Sequence, residues 1–392
     1  MLKRILALTL LGASNNSPPA GACAPGGRAR SPHGWVHGGP AGGLLLEALA
    51  ITAVLLCLNT ARADEADLTL HNFKFTSGES LPDLRIHYHF FGKPHPDAHG
   101  EVRNAVLILH GTGGSGASLI RPEFSGALFG PGQLLDANKY FIVLPDGIGH
   151  GKSSKPSDGL HARFPHYGYV DMIESDYRLL QSLGVKHARL IMGTSMGGMH
   201  TWLWGELHPD FMDALMPLAS LPTQISGRNR VWRRTISDAI RNDVAWKGGD
   251  YTAQPPSLRT AVEMLWLVGS NPVLRQKEAP SYAQADRVID EYVARLAPQE
   301  DANDLLYAVE ASHDYDPGPG LEKIRAPLFA VNSADDLINP PELGILEREI
   351  KRVPHGRAVV IPYSDLTRGH GSHTIAALWK SYLEELLRES EH

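Results

Sequence analysis

Four short apolar runs constrain this chain most: NAVLILHG (104–111), KYFIVLPDG (139–147), ARLIMGTS (188–195) and DALMPLAS (213–220). Each is nearly continuous in apolar residues and closed by turn formers, the pattern of strands buried on both faces of a parallel sheet. Between the later runs, YVDMIESDYRLLQSLG and GGMHTWLWGELHP carry helical spacing. Upstream, LTLHNFKF and DLRIHYHFFG alternate with period two and predict an antiparallel pair. From about Leu221 to Pro317 strand signals vanish, and segments such as NRVWRRTISDAIRND and SYAQADRVIDEYVARLA are helical in period. APLFAVNSADD and RAVVIPYSD then restore buried strands. The expected fold is α/β, a mostly parallel doubly wound sheet built from 64–220 and 318–392. A helical cap over 221–317 is inserted into it.

Residues 1–63 read differently. MLKRILALTLLG has a basic start and a short apolar run, a Gly/Pro/Arg-rich stretch follows, and LLLEALAITAVLLCLNTARA ends at Ala61-Arg62-Ala63. Small residues at those two positions are what signal peptidase accepts, so an export signal with an N-terminal extension is expected, and a periplasmic or secreted product with it. The rival reading is a tail with one anchoring helix; Glu47 and the shortness of the run weigh against it, as no apolar stretch reaches the ~18 residues that span a bilayer. Cys23 and Cys57 both lie in this segment, so cleavage would leave a chain without thiol chemistry, disulfides or cysteine-ligated metal. The net charge of −6, without a long basic run, argues against a nucleic-acid partner.

The sharpest chemical signal is Gly193-Thr194-Ser195-Met196-Gly197, a G-x-S-x-G string between a buried strand and a helix. In that context the chain turns so tightly that the serine hydroxyl stands exposed above the sheet. A serine needs a base to take its proton, and the base needs a carboxylate to fix its tautomer. FAVNSADDLINPP supplies Asp335 and Asp336 in the chain order this context requires, and TRGHGSHT supplies His370 and His373. Donors for a developing oxyanion are expected from the Met196 N–H, after the nucleophile, and from the HGTGG loop, through Thr112.

HGTGGSG also contains a G-x-G-x-x-G string, but a dinucleotide site needs a full helix next, and ASLIRPEFSGALFGPG brings Pro122, Gly126, Gly130 and Pro131 instead. No cofactor is expected. The histidines show no H-E-x-x-H or comparable spacing, so no metal is expected; His110, His150, His161, His166 and His200 read singly as loop or pocket residues.

Together SGESLPDLRIHYHFFGKP, NAVLILHGTGG, FGPGQLLDANKYFIVLPDGIG, GTSMGGMH, DAIRNDVAWKGGDY, DDLINPPE and GHGSHT resemble the homoserine O-acetyltransferase-like branch of the α/β-hydrolase superfamily. The likeness runs from about Phe73 to Leu387. It implies Ser195 as nucleophile, Asp336 as the acid, with Pro340 and Pro341 fixing the register, and His370, from its Gly-His pair, as the base. It also implies a helical lid, often a dimerisation surface, and hence a possible homodimer. Two departures touch the substrate. The loop DGIGHGKSSKPSDG differs, and the lid arginine that orients an amino-acid carboxylate in the family falls on Ser237, with Arg228, Arg230, Arg233, Arg234 and Arg241 nearby as substitutes or as solvated surface. Because acetyl-CoA is cytoplasmic, export makes water the default acceptor. The leading expectation is an exported esterase-like serine hydrolase acting on a small ester or acyl compound through an acyl-enzyme. Its rival is an O-acyltransferase of the homoserine O-acetyltransferase type.

Overall fold

Alternate side chains of a strand point to opposite faces, so a run that is apolar throughout needs cover on both. The computed structural model describes residues 63–391, and the expected leader with Cys23 and Cys57 lies outside them. The alternating segments form β1 (Asp64–Lys74) and β2 (Ser80–Phe91). The apolar runs form β3 (Ala105–Leu109), β4 (Phe141–Pro145), β5 (Ala188–Thr194) and β6 (Leu215–Leu218), followed by β7 (Leu328–Ser333) and β8 (Gly356–Ile361). They join in one eight-stranded sheet of order β1-β2-β4-β3-β5-β6-β7-β8. The β1–β2 and β2–β4 pairs are antiparallel and the others parallel.

Four-residue α1 (Ser125–Leu128) lies between β3 and β4. Before and after β5 come α2 (Tyr169–Ser182) and α3 (Met196–Leu207). Between β6 and β7 lie α4 (Gly227–Arg241), α5 (Ser257–Gly269), α6 (Pro272–Glu278), α7 (Tyr282–Leu296) and α8 (Ala302–Glu310). Short α9 (Ile345–Glu349) and α10 (Lys380–Glu389) complete the chain. The two faces of β3 show how the sheet is covered. Leu107 and Leu109 enter a core with Ile173 of α2 and Trp202 of α3, while Val106 and Ile108 enter another with Phe124 and Trp379. Trp232, Ile236, Leu258, Val262 and Leu305 form a third core, which holds α4, α5 and α8 together. Among the described residues, no helix is long and apolar enough to cross a membrane.

One expectation needs correction. The spacing from Ala376 onward predicts a final helix beginning beside His373, but Gly371–Thr374 and Ala376–Leu378 are 3-10 turns and α10 starts at Lys380. Ile375 (φ −104, ψ 90) and Trp379 (φ −136) leave helical geometry between the turns. The buried Trp379 indole, packed on Phe124, donates to the His373 carbonyl at 3.0 Å, which holds the chain in that bend.

For the site, the decisive feature is that β3 connects forward to β4 on one side while pairing with β5 on the other. Where strand order reverses, the loops after two neighbouring strands diverge and leave a crevice at their carboxyl ends. The His110–Gly114 loop and Ser195 face each other there.

Candidate active site

Ser195 follows β5 with φ 55 and ψ −110, a region L-residues rarely occupy and one that stores roughly 1–3 kcal/mol of strain. Close packing imposes it. A Cβ on Gly193 would stand 2.2 Å from the Gly197 carbonyl oxygen, and one on Gly197 would stand 2.2 Å from the Leu109 carbonyl oxygen. Only glycine at both positions lets α3 rise directly off the sheet. The Ser195 amide is tied to the Leu218 carbonyl at 2.9 Å and the Gly197 amide to the His110 carbonyl at 2.9 Å, so β3, β5 and β6 share in holding the turn.

The acid and the histidine come from the loops after β7 and β8. His370 Nδ1 lies 2.8 Å from Asp336 Oδ2, and its Nε2 lies 2.8 Å from Ser195 Oγ. A carboxylate only accepts, so Nδ1 carries the proton and Nε2 is left to accept from the serine hydroxyl. Asp336 is 1% exposed. Burial opposes its ionisation, yet the adjacent His370 ring, the Asn339 side chain and the Ile338 amide together hold its carboxyl below the usual range. The Ile338 and Asn339 amides donate to Oδ1 at 2.8 and 3.2 Å, and the Asn339 amide group donates to Oδ2 at 3.1 Å.

Asp335, the other acid of the pair, has a different place. It accepts the Gly369 amide at 2.9 Å and also bonds Ser333 and the Asn271 side chain, so it ties down the loop that carries His370. Gly369 needs φ 61 there. His373 bonds neither Ser195 nor Asp336; its ring stands edge-on to His370 with centroids 5.1 Å apart and lines the cavity. Burial, then the neighbouring His370, presses its imidazole down to about 3, so it is neutral at ordinary pH.

Thr112 lines the same cavity as Ser195, and Met196 is the first residue of α3, where an N–H has no intrahelical acceptor. Among the described residues, neither backbone N–H donates to a protein acceptor. His110 and His150, read singly from sequence, are brought together, with ring centroids 5.0 Å apart behind the Thr112 loop. Gly147 donates to His110 Nε2 at 3.0 Å, and His150 Nε2 faces the Thr112 carbonyl at 3.0 Å. His200 is buried nearby against Tyr169, whereas His161 and His166 belong to the outer loop.

These residues line a cavity of about 370 Å³. Its walls are largely apolar: Trp232 of α4, Val262, Leu265 and Val268 of α5, and Tyr292 and Leu296 of α7. Of the five arginines left open by the sequence, the structure brings only Arg233 to this cavity. Arg234 pairs with Asp238 and Arg241 with Glu310 at the surface; Arg228 reaches the Leu337 carbonyl, and Arg230 is exposed. Arg233 is 2% exposed, lies 4.5 Å over the Trp232 ring, and bonds Asn229 at 3.1 Å and Ser312 at 3.3 Å. Among the described residues it has no carboxylate partner within ion-pair distance. Ser237, one turn further along α4, is buried on the same face.

A family model described as alpha/beta hydrolase fold matches residues 104–364. Homoserine O-acetyltransferase of Trichormus variabilis is 29% identical over 297 residues, 69% of this chain and 79% of the relative. The crystal structure of homoserine O-acetyltransferase from Bacillus anthracis aligns with TM-score 0.73 at 21% identity, covering 83% of this chain and 97% of that one. An acetylester hydrolase from Corynebacterium glutamicum aligns with TM-score 0.72 at 20% identity, covering 83% and 96%. At those identities the two structures show the shared fold.

Proposed function

The chain belongs to the alpha/beta hydrolase fold family, and from that premise we propose that it moves an acyl group through a covalent intermediate on Ser195. The observation that carries this reading is the unbroken chain of hydrogen bonds from Asp336 through His370 to Ser195. Ser195 Oγ attacks the acyl carbon while His370 Nε2 takes its proton, and the Asp336 carboxylate stabilises the imidazolium. The carbonyl oxygen becomes an oxyanion held by the free N–H groups of Thr112 and Met196, each worth roughly 3–4 kcal/mol of barrier. His370 returns the proton to the leaving group, and the acyl-enzyme remains. An acceptor then gives its proton to His370 and attacks the acyl carbon; the bond from the acyl carbon to Ser195 Oγ breaks, and His370 Nε2 returns the proton to Oγ.

What accepts the acyl group decides between the two readings. An O-acyltransferase is supported by the homoserine O-acetyltransferase relatives and by Arg233, a buried cation of the cavity wall with no carboxylate within ion-pair distance among the described residues, although Glu300 lines the same cavity. A buried charge is costly until it is paired, so a carboxylate on the acceptor would relieve it. Hydrolysis keeps one specific support, the small-x-small ending at 61–63, because an exported enzyme would be separated from acyl-CoA. Intact-mass analysis of the native protein checks export directly: a chain beginning at Asp64 supports it, and retained residues 1–63 contradict it. The cap helices act as a lid on either reading. Val231, Leu267, Val273 and Tyr282 are exposed on them and support a homodimer, which light scattering on the purified protein tests.

Thiol release from acetyl-CoA is the deciding assay. For the transferase, release depends on homoserine and O-acetylhomoserine accumulates. Acetate formation independent of the acceptor would decide for hydrolysis. No turnover with acetyl-CoA or with a panel of simple esters would remove the acyl-transfer reading.

A further inference from the structure

Away from the cavity, one side-chain cluster has the chemistry of a ligand site. The antiparallel register sets Glu65 opposite His89 and Asp67 opposite His87. Residues two apart on a strand share a face, so all four side chains stand together on one side of the outer hairpin. His87 is 3% exposed, and its Nε2 is buried without a hydrogen-bond partner. That nitrogen lies 3.6 Å from Glu65 Oε2, and His89 Nδ1 lies 3.8 Å from the same oxygen. One donor atom from each of the three residues falls within 4.8 Å of the others. Ligands around a tetrahedral zinc ion at bond lengths near 2.0–2.1 Å stand roughly 3.3 Å apart, so small side-chain rotations close the set.

The surroundings prepare these atoms. His87 Nδ1 lies 2.9 Å from Asp67 Oδ1, which keeps the proton on Nδ1 and turns the Nε2 lone pair toward Glu65 and His89. A carboxylate behind a histidine in this way is the usual outer partner of a metal-binding imidazole. The His87 backbone is fixed as well, its amide donating to Ser153 Oγ at 2.9 Å. Lys152 Nζ sits 2.7 Å from Glu65 Oε2, but the lysine side chain is 61% exposed and can swing into water when a dication takes its place.

We propose that Glu65, His87 and His89, brought face to face by the β1–β2 register, bind a divalent cation of the zinc class, with water completing the set on the exposed side. Two imidazoles and a carboxylate suit zinc better than calcium or magnesium, which take oxygen ligands. The ion ties β1 to β2 at the open edge of the sheet and is separate from the Ser195 chemistry.

Zinc titration of untagged, chelator-stripped full chain by calorimetry tests this. Wild type is expected to take up one zinc per chain and to gain thermal stability from it. Glu65→Gln and His89→Ala are expected to lose that uptake or weaken it at least ~10-fold while keeping ester turnover; Asp67→Asn is expected to weaken it roughly 10- to 100-fold. Lys152→Ala is expected to tighten it. Glu65 is half-exposed, so its variant reads the site even if a histidine variant misfolds. No saturable uptake by wild type, or undiminished uptake by the folded Glu65→Gln variant, would overturn the proposal.

Discussion

His370 and His373 stand three residues apart, and their surroundings assign them opposite tasks. His370 has the carboxylate of Asp336 on one nitrogen and the Ser195 hydroxyl on the other. His373 has an unpartnered, buried Nδ1 and a ring held neutral. His370→Ala is therefore expected to lower turnover roughly 10⁴-fold or more, while His373→Ala retains most of it. Steady-state rates on one activated ester compare them, and the reverse result would exchange their roles. Asp335 acts at one remove, through Gly369. Asp335→Ala is expected to lower kcat by up to ~10²-fold with KM little changed, because the imidazole is misplaced rather than removed. On the proposed acyltransferase reading, Arg233 bears on the acceptor alone. Arg233→Met is expected to raise KM for a carboxylate-bearing acceptor roughly 10- to 100-fold and to leave a neutral ester unaffected; equal effects on both would detach it from substrate. At this scale Ser195 was legible in its string. Arg233 was one of five candidates, and only its burial on the cavity-facing side of α4 singles it out.

At the scale of elements, the sheet was legible because burial on both faces writes itself as continuous apolar runs, and all eight strands coincide with such runs or with period-two segments. The turn at Ser195 was legible for a related reason, since close approach of α3 to the sheet demands glycine. Gly197→Ala, which would drive a Cβ into the Leu109 carbonyl, is expected to destabilise the fold by roughly 1–3 kcal/mol or more, read from denaturant midpoints. The final helix was misplaced because 3-10 turns repeat apolar residues at nearly the same spacing as an α-helix, and the Trp379 bend is a tertiary effect. The Glu65–His87–His89 cluster was missed for another reason: only its His87-x-His89 half is spaced along the chain, and Glu65 joins it across the strand pair, where motif spacing does not reach. The cavity walls come from α4, α5 and α7, and no local pattern states which of their faces meet.

For the whole molecule, the buried histidines set how stability depends on pH. His110, through burial and then His150, and His373, through burial and then His370, are both held at about 3, whereas an unfolded histidine titrates near 6.5. The unfolded chain therefore takes up protons first as pH falls. Stability is fully present above about pH 6.5 and is lost progressively as pH drops toward about 3. Asp336, held below its ordinary range, adds a loss only below about pH 4. Tm is expected to fall between about pH 7 and pH 5, and less so in His373→Gln; a flat profile would contradict the assignment. The same frame serves hydrolysis and transfer, since both need only the intermediate on Ser195. The most direct measurement is rapid-quench mass spectrometry of the folded protein after mixing with an activated acetyl ester. One acetyl group mapped to Ser195 in wild type, and none in Ser195→Ala, is the expected result. No adduct, or an adduct that persists at full rate in His370→Ala, would contradict the account.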